Sequence, residues 1–257
     1  MLAAVIWGLV QGLTEFLPIS SSGHLVVVPK ALDAMGLDIS QPSLAVSAVL
    51  HLGTLIAVLV YFRDDVNSVL QMRRRPEGRK IALLVAVGTI PALIGLPLKN
   101  DIESIQENVT YVGIALIGTG VILFIGQRLA RGIRGLTEGR IPDAVIVGIS
   151  QAFALIPGIS RSGITIATGS GRGFQPVEAA RFSFLLGIPA IAGAGLVSLP
   201  EVFAEGEFGP ELAVGLVVAA VSGYLAIALL LRALRRVGLL PFAIYCLIVG
   251  GLTVLFL

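Results

Sequence analysis

Six stretches of the chain, approximately 43–62, 81–98, 109–127, 177–200, 212–231 and 239–257, stay apolar for about the 20 residues that cross the hydrocarbon core of a bilayer. Two more apolar stretches are broken. Residues 2–30 are interrupted at Pro18-Ile19-Ser20-Ser21-Ser22-Gly23, and residues 141–170 at Pro157-Gly158-Ile159-Ser160-Arg161-Ser162-Gly163. Each half is about a dozen residues, too short to cross alone. Irregular backbone at membrane depth survives only inside protein or beside a water-filled cavity. Each broken stretch therefore reads as a re-entrant helix–loop–helix, and the chain as an all-α polytopic membrane protein with one membrane domain spanning residues 1–257.

Composition agrees. Charged residues are 13% of the chain and the mean hydropathy is +0.95, whereas soluble domains carry about 25% charged residues. The net charge of +2 and the lack of a basic stripe interleaved with aromatics exclude nucleic acid as a partner. Cys246 is the only cysteine, so no internal disulfide forms. The start is apolar with its first basic residue at Lys30, unlike a cleaved signal peptide, and reads as mature chain.

The two broken stretches repeat at an offset of 140: Ala4-Val5-Ile6 matches Ala144-Val145-Ile146, Gly8 matches Gly148, Gln11 matches Gln151, and Ile19-Ser20-x-Ser22-Gly23 matches Ile159-Ser160-x-Ser162-Gly163. This is read as a duplication, with repeats at approximately 1–130 and 141–257, each one re-entrant unit followed by three spans. Charge orients it. Loops 63–80, 128–140 and 232–238 hold 13 of the 18 basic residues and should be cytoplasmic. Loop 99–108 has only Lys99, and loop 200–211 has no basic residue but carries Glu201, Glu205, Glu207 and Glu211, so both should lie outside. An odd number of spans per half inverts the second repeat, so the first re-entrant unit enters from outside and the second from the cytoplasm. Inverted repeats with broken helices meeting near the midplane build buried polar sites.

A charge in the bilayer core costs at least about 2.5–3.5 kcal/mol and usually faces a cavity or a partner. Glu15, His24 and Arg161 all lie in or beside the two breaks. Gln11 and Glu15, four apart, share one helix face. Glu15 suits a divalent metal, general-base work or an ion pair with Arg161. Ser21 and His24 stand one helical turn apart; they read as a nucleophile with its base, or as a serine-rich helix cap beside a satisfied histidine. Arg161 presents a planar fork matched to phosphate, with Ser160, Ser162 and Thr165 around it at a helix start suited to anions, or it simply neutralises Glu15. His51, within a span, reads as a buried hydrogen-bonded histidine. Gly169-Ser170-Gly171-Arg172-Gly173 reads as a loop cap, Arg73-Arg74-Arg75 as a topology signal, and Glu178 with Arg181 as a surface pair.

Gln11-Gly12-Leu13-Thr14-Glu15-Phe16-Leu17-Pro18-Ile19-Ser20-Ser21-Ser22-Gly23-His24 resembles the first signature of the undecaprenyl-diphosphate phosphatases associated with bacitracin resistance, and Pro157-Gly158-Ile159-Ser160-Arg161-Ser162-Gly163-Ile164-Thr165 resembles their second. The resemblance covers essentially the whole chain. It implies an enzyme of the plasma membrane that removes the terminal phosphate of a polyprenyl diphosphate, with its pocket open to the outer face. Glu15 would be the acidic metal or acid/base residue, Ser21 the nucleophile or the group that positions an attacking water, His24 its partner and Arg161 the phosphate clamp. Gln11, Ser20, Ser22, Ser160, Ser162 and Thr165 would line the substrate, and Mg2+ or Ca2+ would assist. A homodimer is compatible with this reading. Many members have glutamate at the position of Gln11, which leaves Glu15 as the only carboxylate on this helix. A second class of function, a polyprenyl-phosphate flippase, would need only the clamp. Motifs of the other membrane lipid phosphatases, a lysine before an Arg-Pro pair and a Ser-Arg followed by His and Asp, are missing from the sequence.

Overall fold

The computed structural model describes residues 1–37, 39–91, 93, 108–204 and 209–257. The described chain is helical, with one isolated parallel bridge, Arg134 to Phe174. The helices are α1 (Leu2–Phe16), α2 (Ser21–Ala34), α3 (Leu44–Tyr61), α4 (Arg63–Leu70), α5 (Pro76–Thr89), α6 (Val109–Leu129), α7 (Ile141–Phe153), α8 (Arg161–Gly171), α9 (Pro176–Ala204), α10 (Pro210–Arg236) and α11 (Leu240–Phe256). The expected outer loops fall largely on residues 94–107 and 205–208, outside the described residues.

Helices α6 and α10 are long and apolar enough to cross a membrane by length and composition. Their outward faces carry Ile114, Val121, Phe124 and Ile125, and Val217, Val221, Leu225 and Leu229, all exposed. An apolar exterior of that extent needs lipid or protein over it.

Both breaks fall where the sequence places them. Pro18 follows the end of α1, since proline lacks the N–H a helix needs and forces its predecessor out of helical geometry. Ser20 caps α2, its Oγ accepting from Gly23 N at 3.3 Å, and Ser160 caps α8, its Oγ accepting from Gly163 N at 3.0 Å. The stretch 63–80, expected to be loop, instead holds α4 and the first turn of α5, and α4 turns 81° from α3. Asp64 and Asp65 in the first turn of α4 favour the helix dipole, and Pro76 opens α5 at a position where its missing N–H costs nothing.

A core runs between the two breaks, with Phe16, Leu84, Leu123, Phe174, Phe182 and Leu186 fully buried in it. Phe16 meets Phe184 edge to face at 5.2 Å, which pins the end of α1 onto α9. At the basic end, Asp143 accepts from Arg134 Nη1 and lies 2.9 Å from Arg172 Nη2, while Arg134 rests over the Phe174 ring. The pair of Arg181 with Glu178 is present at 3.1 Å, and Asp65 of α4 joins it. Asp143 is buried, and it also accepts from Arg140 N at the start of α7. Asp143→Ala should therefore cost about 2–3 kcal/mol and lower the melting temperature in detergent, with little effect on ligand binding at the distant loops.

Candidate phosphate site at the meeting of the two loops

The two loops touch. Gly158 N donates to Ser22 Oγ at 3.4 Å, and Ser162 Oγ donates to Leu17 O at 3.2 Å. Thr119 of α6 fastens the second loop from behind: its hydroxyl donates to Gly158 O at 2.8 Å and accepts from Ser160 N at 3.0 Å. Thr165 Oγ1 bonds Arg161 O and Ser183 Oγ, each at 2.7 Å, tying α8 to α9.

Glu15 is the centre. It is buried, and each of its oxygens meets donors. Arg161 Nη2 donates to Oε1 at 2.6 Å; Ser21 Oγ donates to Oε2 at 2.6 Å; Gln11 Nε2 donates to Oε2 at 3.1 Å. His51 Nε2 stands 3.5 Å from Oε2. Arg161 has a second hold, Nη1 to Ser183 O at 3.3 Å, which leaves N–H groups of its five-donor fork for an incoming anion. Its guanidinium lies close against Gly187, where an added Cβ would stand 2.1 Å from Nη1.

Of Glu15, His24 and Arg161, expected to converge, Glu15 and Arg161 pair directly, and Ser21 and Gln11 join them in place of His24. His24 is buried in the first turn of α2, turned to other partners. Its Nδ1 bonds Ser20 O and its Nε2 bonds Tyr245 Oη, both at 2.8 Å. The side chain that Ser21 Oγ bonds is the Glu15 carboxylate, not the His24 ring. Ser20 and Ser22 bond each other at 3.3 Å, and Ser160 and Ser162 do so at 3.2 Å, so these four mainly shape the loops. Four contributors were not singled out for the site from sequence: His51, Thr119, Ser183 and Tyr245. An ionisable residue inside a span is a signal for His51; hydroxyls and a tyrosine in apolar helices give none.

The donor set fits a divalent cation shared with a phosphorylated ligand. A hard cation such as Mg2+ binds through one or two carboxylates plus substrate phosphates. Glu15 supplies one carboxylate, and the fully buried Gln11 has an Oε1 with no hydrogen-bond partner. Among the described residues no three His, Cys, Asp or Glu side chains gather to hold an ion by themselves.

The fold and this site define a helical membrane protein whose two breaks bring a carboxylate, a serine and an arginine together. Residues 4–252 match the family of the bacitracin resistance protein BacA, and the chain belongs to that family. Similar proteins include the undecaprenyl-diphosphatase of Methanosphaera stadtmanae, 38% identical over 99% of this chain and 97% of that one. Those of Halothermothrix orenii and Syntrophotalea carbinolica are 43% and 42% identical, over 95% and 98% of this chain and 93% and 97% of theirs.

Proposed function

We propose that this chain hydrolyses a polyprenyl diphosphate, undecaprenyl diphosphate in a bacterial setting, to the monophosphate and inorganic phosphate, and so recycles a carrier lipid for surface glycans. The observation that carries the reading is the pair of 2.6 Å bonds that Glu15 accepts, one from Ser21 and one from Arg161 across the loop contact. A serine hydroxyl becomes a nucleophile when a base takes its proton, and a guanidinium fork stabilises charge on transferring phosphoryl oxygens. Ser21 Oγ attacks the terminal phosphorus and its proton passes to Glu15. The anhydride P–O bond breaks, the electron pair leaves with the polyprenyl phosphate oxygen, and the proton on Glu15 follows it. A water, deprotonated by the restored Glu15, then attacks the phosphorus; the Ser21 Oγ–P bond breaks, Ser21 Oγ takes the proton back from Glu15, and inorganic phosphate leaves. Glu15 and Gln11 Oε1 would hold Mg2+ or Ca2+, which when bound neutralises the diphosphate.

The architecture in this reading is six transmembrane helices plus two re-entrant segments in an inverted repeat, in the plasma membrane, with the pocket open to the outer face. Equivalent contacts support the repeat. Helix α1 packs on α10, and its counterpart α7 packs on α5. An added Cβ at Gly8 would meet Gly215 O at 2.5 Å, and one at Gly148, 140 residues on, would meet Gly88 O at 2.4 Å.

The test is phosphate release from undecaprenyl diphosphate by purified protein in detergent, with and without divalent metal, for wild type, Ser21→Ala and Arg161→Ala. Metal-dependent release that both variants lose is the expected result. A folded wild type that binds the lipid and releases no phosphate would overturn the reading in favour of lipid transport, which needs the clamp but not the base.

A further inference from the structure

Ser20 is the one non-glycine residue at positive φ among the described residues, with φ 72° and ψ 104°. Its counterpart in the second loop, Ser160, caps the same kind of helix start through the same hydroxyl, yet has an ordinary φ of −74° and ψ of 117°. The two loops thus share a cap, but the capping residue itself differs in φ between them. They also differ four residues later, where the first has His24 and the second Ile164.

His24 acts on the strained residue itself. Ser20 O accepts two bonds, from His24 N at 3.2 Å and from His24 Nδ1 at 2.8 Å, whereas Ser160 O receives only the backbone bond, from Ile164 N at 2.9 Å. A carbonyl oxygen only accepts, so Nδ1 carries the proton and Nε2 of the neutral ring has a lone pair. The Tyr245 hydroxyl, 2.8 Å away, donates to it, and the two rings lie stacked with a 13° interplanar angle. The next residue after the strained one is Ser21, whose Oγ bonds Glu15 at 2.6 Å. Residues held in such dihedrals persist where their surroundings over-determine them.

We infer that His24 and Tyr245 form a clamp: Tyr245 fixes the His24 ring, and His24 Nδ1–H holds Ser20 O so that the strained turn aims Ser21 at Glu15. His24 is then a positioning residue that moves no proton, and Tyr245 belongs to the site although it lies 221 positions away in sequence. This rests on the hydrolase reading for its kinetic arm, and on geometry alone for its spectroscopic arm.

Asparagine and glutamine separate the two functions of the ring. Asn at position 24 can place an amide N–H where Nδ1 stands; Gln reaches toward Nε2 instead. In the phosphate-release assay, His24→Asn is expected to lose only about five-fold, the worth of one neutral hydrogen bond. His24→Gln and His24→Ala are expected to lose at least about 100-fold, as for a displaced reacting group. Tyr245→Phe should lose about five-fold in the wild type and nothing further in the His24→Asn background. A proton-transfer role predicts instead that all three His24 variants fall alike, and that result would overturn the clamp. Melting temperatures of each variant separate misfolding from loss of rate. Independently of activity, the chain has 2 histidines, so His51→Gln labelled with 15N-histidine reports His24 alone. A ring protonated at Nδ1 and bare at Nε2 supports the clamp; protonation at Nε2 with a bare Nδ1 refutes it. This arm stands even if the wild type releases no phosphate.

Discussion

Glu15→Gln is expected to lower phosphate release by about 10²–10⁴-fold, the range that a positioned general base contributes. The substitution preserves shape and an acceptor for Ser21, but removes the charge opposite Arg161. That guanidinium is only 17% exposed on its side chain, and it would then be left with the Ser183 carbonyl. Leaving it without its carboxylate should cost about 2 kcal/mol of stability, read as a lower melting temperature in detergent. The two readouts decide the role of Glu15. A residue that only neutralises Arg161 would lose activity no further than the folded fraction falls.

Gly187→Ala is the second large effect, and its rate should fall much further than its stability. The new Cβ would stand 2.1 Å from Arg161 Nη1 and 2.8 Å from Cζ, so the guanidinium must swing away from Glu15 and from the phosphate position. A misplacement of about 1 Å can cost about 100-fold in kcat/KM. Alanine is also a better helix former than glycine by about 1 kcal/mol. The helix gain offsets only part of the roughly 2 kcal/mol lost with the Arg161–Glu15 pair, so the expected variant is less stable by about 1 kcal/mol and about 100-fold slower. An unchanged kcat/KM would show that Arg161 needs no fixed seat.

What was legible in the sequence follows from local rules. Pro18, Ser20 and Ser160 announce the breaks, because proline ends a helix and serine caps the next one. The i, i+4 spacing of Gln11 and Glu15 foretells the bond between them, and the cost of charge in an apolar interior foretells that Glu15 and Arg161 find each other. The rest depends on long-range packing that no local pattern encodes. Hydropathy shows that α3 is apolar and says nothing of the 81° turn into α4. His24 finds its partner on α11, and nothing at Tyr245 marks it. Ser20 gives no hint of its positive φ, since glycine is the residue that normally signals one. His51 reads as a core histidine by its bond to Ser47 O, and only the folded arrangement brings its other nitrogen to Glu15.

In the proposed reaction the base and the hydroxyl flank the first break and the guanidinium the second, so the chemistry would exist only along the seam where the loops meet. The seam is held by few bonds: Gly158 to Ser22, Ser162 to Leu17, and the Glu15–Arg161 pair. A motion that drew the loops apart to let a lipid head group through would take the reaction apart at the same moment. On the proposed reaction, passage and hydrolysis would be alternatives in time, and the cut would fall to the closed state.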